Sequence, residues 1–209
     1  MSYEFDVYIS YPHEKAHQRW VRDFLEKFEL FLTEDLGREP KIFFDEQDIL
    51  AGARWPDTLE KALGRSKILV AIWSVKYFTR EWCNKECGIM YYREMMLNAT
   101  RKEDPYCLLM PVRFLDGDNY PPFAKEIQHL NCEVYNKATK ISRGHTNKFM
   151  ALREVVKGWT PVVKRRIQSA PDWNSQWLTK EWMDAALKHW KEHDKFKLEK
   201  DWATPPKMG

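Results

Sequence analysis

The 209-residue chain lacks the short motifs that mark several common enzyme classes. It has no Gly-x-Gly-x-x-Gly after its first predicted strand, no Gly-x-x-x-x-Gly-Lys-Ser/Thr and no Gly-x-Ser-x-Gly. These motifs place backbone N–H groups beside a phosphate or expose a serine nucleophile. Their absence argues against a dinucleotide-binding dehydrogenase, a P-loop NTPase and an α/β-hydrolase.

Cysteine is scarce, and no apolar run is long. The four cysteines are too few for a disulfide framework and are consistent with reduced thiols. No stretch approaches the roughly 18 apolar residues of a membrane span. The N-terminal residues, with Glu4 and Asp6, do not resemble a signal peptide. The expected location is therefore cytoplasmic.

Residues with the spacing of metal ligands are present only in incomplete sets. Cys83 and Cys87 lie one helical turn apart, but neither Cys107 nor Cys132 has a second ligand at metal spacing. The pairs His13/His17 and His189/His193 also have that spacing, without the glutamate of His-Glu-x-x-His. We expect no metal site and interpret the histidines as parts of solvated helix faces.

Neither sign of charge is in large excess, with 34 Lys and Arg against 31 Asp and Glu. Proteins that bind nucleic acid or acidic membranes through phosphate groups normally carry a basic surplus. We therefore expect neither as the main partner.

Apolar periodicity predicts strands alternating with helices. The predicted strands are residues 4–11, 41–44, 68–73, 106–114 and 132–135. Predicted helices include residues 15–32, a helix that reaches about Leu97, and one from Phe149 that continues past Pro161 to Ile167. This alternation predicts an α/β fold, a flavodoxin-like doubly wound five-stranded parallel sheet of order 2-1-3-4-5.

The composition changes near Ala170-Pro171, and six of the ten tryptophans lie after residue 158. We predict one domain over residues 1–168 and a Trp-rich helical extension over residues 169–209. The extension is expected to pack its aromatic side onto the domain. A helix that binds a partner is the alternative.

Glu86 occupies an unusual position for a carboxylate. At about 100° per residue it falls within the apolar arc of its own helix. That arc also contains Trp82, Ile89, Met90 and Leu97. Because burying a charge is costly, Glu86 either lies at the edge of the stripe, in water or paired with a basic neighbour, or is partly desolvated at the wall of a cleft.

The predicted topology favours the second interpretation of Glu86. In a sheet of this order the ligand crevice lies outside the carboxyl ends of strands 1 and 3. Strand 1 ends at Ser10 and Tyr11, strand 3 ends at Trp73 and Ser74, and the helix with Glu86 follows. A phosphoaccepting receiver domain would need an aspartate where Trp73-Ser74 stands.

Four motifs within residues 4–160 together carry a family resemblance. They are Phe5-Asp-Val-Tyr-Ile-Ser-Tyr11, Phe44-Asp45 with Leu50-Ala-Gly52, the segment 59–74, and Trp82-Cys83-x-x-Glu86. In order, they resemble the first strand, the second strand with the BB loop, the second helix with the third strand, and the catalytic motif of the TIR domain (Toll/interleukin-1 receptor and resistance-protein type), in its bacterial NAD-consuming form.

The resemblance implies roles for individual residues. Glu86 corresponds to the glutamate that cleaves NAD in enzymatically active members, and Trp82 to a tryptophan of the same pocket. The further substrate-binding residues that it implies are Ser10, Tyr11, Phe44 and Ser74. NAD is then the substrate, and no cofactor is implied.

One carboxylate suffices for this chemistry, because nicotinamide is already a cationic leaving group and needs no acid. A nearby carboxylate can stabilise or attack the oxocarbenium-like state. Capture by water gives ADP-ribose, and capture by an internal group gives a cyclic ADP-ribose signal. The sequence leaves both open. The resemblance implies a role in antiphage defence.

The resemblance also implies partners. The loop from Glu46 to Trp55 would pack one TIR domain against another, and a downstream effector could sense the nucleotide product. Trp55 fits loop packing at least as well as a ligand contact. Two alternatives to the enzyme stay open: a non-enzymatic scaffold that acts by TIR–TIR assembly, and a virulence factor that mimics host TIR domains.

Overall fold

Five parallel strands form one sheet in the order β2-β1-β3-β4-β5. The computed structural model describes residues 2–44, 55–101, 103–136, 145–193 and 196–198. The strands are β1 (Phe5–Ser10), β2 (Ile42–Phe43), β3 (Ser66–Trp73), β4 (Leu109–Arg113) and β5 (Leu130–Asn131). The predicted flavodoxin-like fold and strand order are confirmed.

Helices cover both faces of the sheet. They are α1 (Lys15–Leu36), α2 (Trp55–Gly64), α3 (Val75–Thr79), α4 (Glu81–Asn98), α5 (Pro122–Glu126), α6 (Glu133–Asn136), α7 (His145–Gln168) and α8 (Lys180–Glu192). Short 3-10 turns span Gly117–Asn119 and Ser175–Leu178. Helices α1 and α7 lie on one face, and α2, α4 and α5 lie on the other with α8 packed outside them.

Strand β3 is covered by helices on both faces of the sheet. Successive side chains of a strand point to opposite sides, so they alternate between two cores. Leu69, Ala71 and Trp73 contribute to the core beneath α2 and α4. Their neighbours Ile68, Val70 and Ile72 contribute to the core beneath α1 and α7. The continuous apolar run predicted this arrangement, since a parallel strand between two helical layers has no solvent face.

The fifth strand was predicted in the wrong place. It lies at Leu130–Asn131, and the predicted strand at residues 132–135 is largely the short helix α6. Pairing with β4 ends where the Cys132 amide donates to the Arg113 carbonyl at 2.9 Å. The Asn131 side chain then accepts from the Glu133 amide at 3.1 Å, and Arg113 Nε donates to the Glu133 carboxylate. The local contact with Asn131 and the tertiary contact with Arg113 both favour the helix there.

The helix predicted after β3 is divided in two at Arg80. Ser74 caps α3 by accepting a hydrogen bond from the Tyr77 amide at 3.2 Å. At the break, the Asn84 side chain donates to the carbonyls of Phe78 and Arg80 at 2.6 and 3.0 Å. The break therefore leaves these carbonyls satisfied and starts α4 beside the end of β3.

Helix α7 continues through Pro161, as the sequence predicted. Proline has no N–H, so the Lys157 carbonyl one turn earlier loses its usual helical donor. The buried Thr160 hydroxyl lies 3.2 Å from this carbonyl and donates to it. A local side chain thus compensates for the missing backbone bond.

Two glycines allow residues 175–190 to lie directly on the domain. A Cβ built on Gly88 in α4 would lie 2.8 Å from the Trp190 indole. A Cβ on Gly64 at the end of α2 would lie 2.6 Å from the Leu178 side chain. Trp190, Met183 and Ala186 belong to the same buried cluster as Trp73 of β3. Residues 199–209, with Trp202, lie outside the described residues.

Gly88→Ala should lower the free energy of unfolding by about 1–2 kcal/mol, although alanine is the better helix former. The added methyl group meets the Cβ and Cγ atoms of Trp190, so α8 must move rather than one side-chain tip. Thermal unfolding measures the loss. Gly158→Ala in α7 is the matched control, because a Cβ there has nothing within 4 Å, and it should leave stability equal or higher. Equal effects of the two changes would contradict the close contact.

Candidate active site

A buried carboxylate lies beside the carboxyl half of β1. Glu86, on the second turn of α4, is 8% exposed. The Tyr8 hydroxyl donates to its Oε1 atom at 2.6 Å, and the Ser10 hydroxyl donates to its Oε2 atom at 2.5 Å. Of the two interpretations of Glu86, the structure therefore favours the desolvated carboxylate. Hydroxyl donors satisfy it where the sequence suggested a basic neighbour.

Tyr77 extends this hydrogen-bonded set. Its hydroxyl lies 2.8 Å from Ser10 Oγ. Because the Ser10 proton is donated to Glu86, Tyr77 is the donor in this contact. Complete burial, with smaller contributions from neighbouring groups, raises the pKa of Tyr77 well above its usual value. Tyr77 therefore keeps its proton, and the direction of donation is Tyr77 to Ser10 to Glu86.

Arg93, a basic residue two turns further along the same helix, has different partners. It is 2% exposed and donates to the Ser66 carbonyl at 3.0 Å and to the Tyr3 hydroxyl at 2.7 Å. Its guanidinium also lies 3.5 Å from the centre of the Trp177 ring. Burial lowers the pKa of Arg93 to about 10, so it is still charged at neutral pH. Arg93 joins α4 to β3 and to the C-terminal extension.

Ser74 contributes to a second polar contact near the end of β3. Its hydroxyl caps α3 and lies 3.2 Å from Nε2 of His17. His17 is 5% exposed and packs its ring on Phe114 at 4.7 Å, so the predicted solvated face is wrong at this position. Burial lowers the pKa of His17, which favours the neutral ring.

Trp82 lies in the first turn of α4, one turn before Glu86. Its ring is partly buried against the core beneath α2 and α4. Lys85 Nζ lies 4.5 Å from the ring centre and also forms an ion pair with Glu60 of α2. Trp82 is thereby held at the junction of α2 and α4.

Tyr11 and Phe44 lie where β1 and β2 end. Their rings stack at 5.3 Å, and both belong to the core beneath α1 and α7. Tyr8 lies on the opposite side of the sheet, beneath α4, the helix that carries Glu86. The structure thus brings Ser10 directly to Glu86. Tyr11 and Phe44 form an aromatic pair at the same carboxyl end of the strands, but on the other face of the sheet.

The family of this chain can be identified from its match to a known family model. The family model described as TIR domain matches residues 7–143, which is more than half of the chain. The chain belongs to the TIR domain family. The predicted resemblance is therefore confirmed.

A curated relative of this TIR domain carries a functional name. Over 94 residues the chain is 26% identical to NAD(+) hydrolase TcpA of Theionarchaea archaeon (strain DG-70-1). The matched stretch is 45% of this chain and 26% of that protein. The match thus spans about a quarter of the length of the curated relative.

Solved structures with a similar fold come from animal and resistance proteins. The TIR domain of Toll-related receptor TRR-2 from Hydra magnipapillata is 20% identical, with 71% of this chain and 98% of that chain covered and a TM-score of 0.45. A TIR-STING receptor from C. gigas, solved with 2',3'-cGAMP, is 19% identical over 72% and 40% of the two chains, with a TM-score of 0.43. The TIR domains of the activated Roq1 resistosome are 17% identical over 89% and 99%, with a TM-score of 0.38.

The sequence did not single out Tyr8 or Tyr77 as site residues. Tyr8 was named only as a member of the first predicted strand. A usable signal was its spacing from Ser10, because residues two apart on a strand point to the same face. For Tyr77, the sequence offers no spacing that points to Ser10.

Three further predictions concern the loop after β2, metal binding and membrane-spanning helices. The loop from Glu46 to Trp55 lies outside the described residues, except that α2 begins at Trp55. Across the described ranges, no group of three or more His, Cys, Asp or Glu residues could hold a metal ion. Within the same part of the chain, every helix is too short or too polar to cross a membrane.

Proposed function

We propose that this TIR domain cleaves the bond between nicotinamide and ribose in NAD+, with Glu86 as the catalytic carboxylate. The observation that carries the proposal is the buried Glu86 side chain, held by two hydroxyl donors where β1 ends beside α4. The relative named NAD(+) hydrolase supports the choice of substrate.

The geometry suits stabilisation of a developing positive charge. Cleavage passes through an oxocarbenium-like ribose, and a fixed negative charge in a water-poor site stabilises it strongly. Nicotinamide leaves as a neutral molecule, so the site needs no general acid. Burial raises the pKa of both Tyr77 and Cys87, which keeps these neighbours of Glu86 neutral. Neither Tyr77 nor Cys87 then places a second negative charge beside the Glu86 side chain.

The substrate-binding roles follow from the same proposal. Trp82, one turn before Glu86, provides the aromatic wall of the nicotinamide-ribose pocket. Ser10 acts beside Glu86, and Ser74 lies at the start of α3 next to the buried His17. Tyr11 and Phe44 form the aromatic pair at the edge of the sheet, where the remainder of the dinucleotide binds.

The proposed activity also depends on assembly of several copies of the domain. TIR domains assemble through contacts in which the loop from Glu46 to Trp55 takes part. This assembly brings the catalytic pockets into their active form. The product is ADP-ribose or a cyclic ADP-ribose that a downstream effector senses, in defence against phage. Activity should therefore depend on protein concentration.

The test is release of nicotinamide from NAD+ by purified protein from nanomolar to high micromolar concentration. We expect the activity per molecule to rise with concentration, because pockets form between neighbours. Mass spectrometry of the second product distinguishes hydrolysis from cyclisation. A constant activity per molecule would contradict assembly. No release at any concentration would favour the non-enzymatic scaffold.

A further inference from the structure

We propose that Tyr8 is a positioning residue whose hydroxyl fixes the carboxylate of Glu86 for catalysis. The inference rests on the proposed NAD cleavage and adds a residue to that site. The distance from the Tyr8 hydroxyl to Oε1 of Glu86 is 2.6 Å.

The Tyr8 ring is held in place from several sides. It is 1% exposed and stacks on Phe43 with ring centres 4.9 Å apart. Its backbone lies in β1, between Phe43 of β2 and Leu69 of β3 in the sheet register. A hydroxyl on a ring packed into the centre of a sheet has little freedom, so it defines one position for the Glu86 oxygen.

The second oxygen of Glu86 is fixed from the same strand. Ser10 follows Tyr8 by two residues, so both side chains point to the α4 side of the sheet. Ser10 donates to Oε2 and is itself held by the Tyr77 hydroxyl. Two donors on the two oxygens determine the plane of the carboxylate. A residue that orients the group in this way acts on the reaction through Glu86.

Tyr120 offers a matched comparison. It is also 1% exposed, and its hydroxyl donates to the carbonyls of Trp73 and Leu115 at 2.6 and 2.9 Å. Tyr8→Phe and Tyr120→Phe each remove one buried hydroxyl and keep the ring. Only the first change removes a donor from Glu86.

The first measurement is the titration of the Glu86 carboxyl carbon by NMR in a full-length labelled chain, with Glu86→Gln to assign the resonance. Loss of a donor to the charged form makes a carboxylate easier to protonate. We expect Tyr8→Phe to move the titration midpoint upward by about one pH unit and Tyr120→Phe to leave it unchanged. If Tyr77 or Cys87 were ionised, its charge would affect the titration of Glu86. Both stay neutral over that range because burial raises the pKa of each.

The second measurement is the kinetics of nicotinamide release. Tyr8→Phe should lower kcat about tenfold and leave KM within about twofold, because the carboxylate is still present but less well oriented. Tyr120→Phe should leave both constants within about twofold.

Three outcomes separate this inference from the proposed function. An unchanged Glu86 titration in Tyr8→Phe would overturn the role of Tyr8, whatever the activity. A loss of kcat that Tyr120→Phe reproduces would also overturn it, because general destabilisation would then explain the effect. If the wild-type chain releases no nicotinamide, the proposed NAD cleavage fails, and the titration alone decides whether Tyr8 holds Glu86.

Discussion

Glutamine in place of Glu86 should lower kcat for nicotinamide release by about a thousandfold, which is the scale of losing a preorganised electrostatic group. The two side chains have nearly the same shape, so the substitution removes the charge with little change in volume. Glutamine has one carbonyl oxygen, whereas Tyr8 and Ser10 both donate to the carboxylate. One of these hydroxyls must therefore turn or lose its acceptor.

A half-buried carboxylate on α4, that of Glu94, provides the control for this substitution. Glu94 accepts hydrogen bonds from the amides of Leu108 and Leu109, at 2.5 and 3.0 Å, where the chain enters β4. Glu94→Gln should reduce the melting temperature and leave kcat within about twofold, because Glu94 supports the backbone rather than the proposed site. Wild-type kcat in folded Glu86→Gln would contradict the role of Glu86. An equal loss of kcat in both variants would point to destabilisation.

A chain that ends at Ser169 should lose its cooperative thermal unfolding transition. Among its described residues, the missing segment supplies five apolar side chains to the buried core: Trp177, Met183, Ala186, Trp190 and Phe196. Burial of each large apolar side chain contributes about 1.5–3 kcal/mol. The total is of the order of the whole stability of a domain, about 5–15 kcal/mol.

Loss of Trp177 adds an electrostatic cost to this truncation. Its ring lies against the buried guanidinium of Arg93, and Tyr3, another partner of Arg93, donates to the carbonyl of Pro171. The truncation removes the Trp177 ring from Arg93 and the Pro171 acceptor from Tyr3. The guanidinium of Arg93 then has one partner fewer. These contacts are the reason that we expect the extension to pack on the domain rather than to act as a free partner-binding helix.

Calorimetry or circular dichroism would measure the effect of the truncation. A chain that ends at Leu198 is the control, because it keeps all the described residues of the extension, and it should unfold near the wild-type temperature. A chain that ends at Ser169 and unfolds at the wild-type temperature would contradict the shared core. The partner-binding interpretation would then be the better one.

Much of the fold follows from local pattern. The unbroken apolar run at Ile68 to Trp73 identified the central strand, because a parallel strand between two helical layers has no polar face. The fifth strand was misplaced because it has only two residues, too few for a period to be recognised. The tertiary contact of Glu133 with Arg113, added to its local contact with Asn131, then favours helix immediately afterwards.

The convergence of Ser10 and Glu86 could also be anticipated. The ends of strands 1 and 3 meet at the point where the winding of the sheet reverses, and the helix after strand 3 begins there. The buried state of His17 was missed, although it lies four residues before Val21 and so on the apolar stripe of α1. Its polar ring was interpreted as solvated because its partners, Ser74 and Phe114, are distant in sequence.

By itself, the sequence determined the family, the order of the strands and the helix on which Glu86 lies. Periodicity and motif order are local properties, so they can be recognised without a structure. Only the tertiary structure decided that Tyr8 and Ser10 donate to Glu86, and that Arg93 pairs with Trp177 and Tyr3. These contacts join residues 76 to 90 positions apart. Such hydrogen bonds depend on how layers pack to within a fraction of an ångström, and no local pattern specifies that distance.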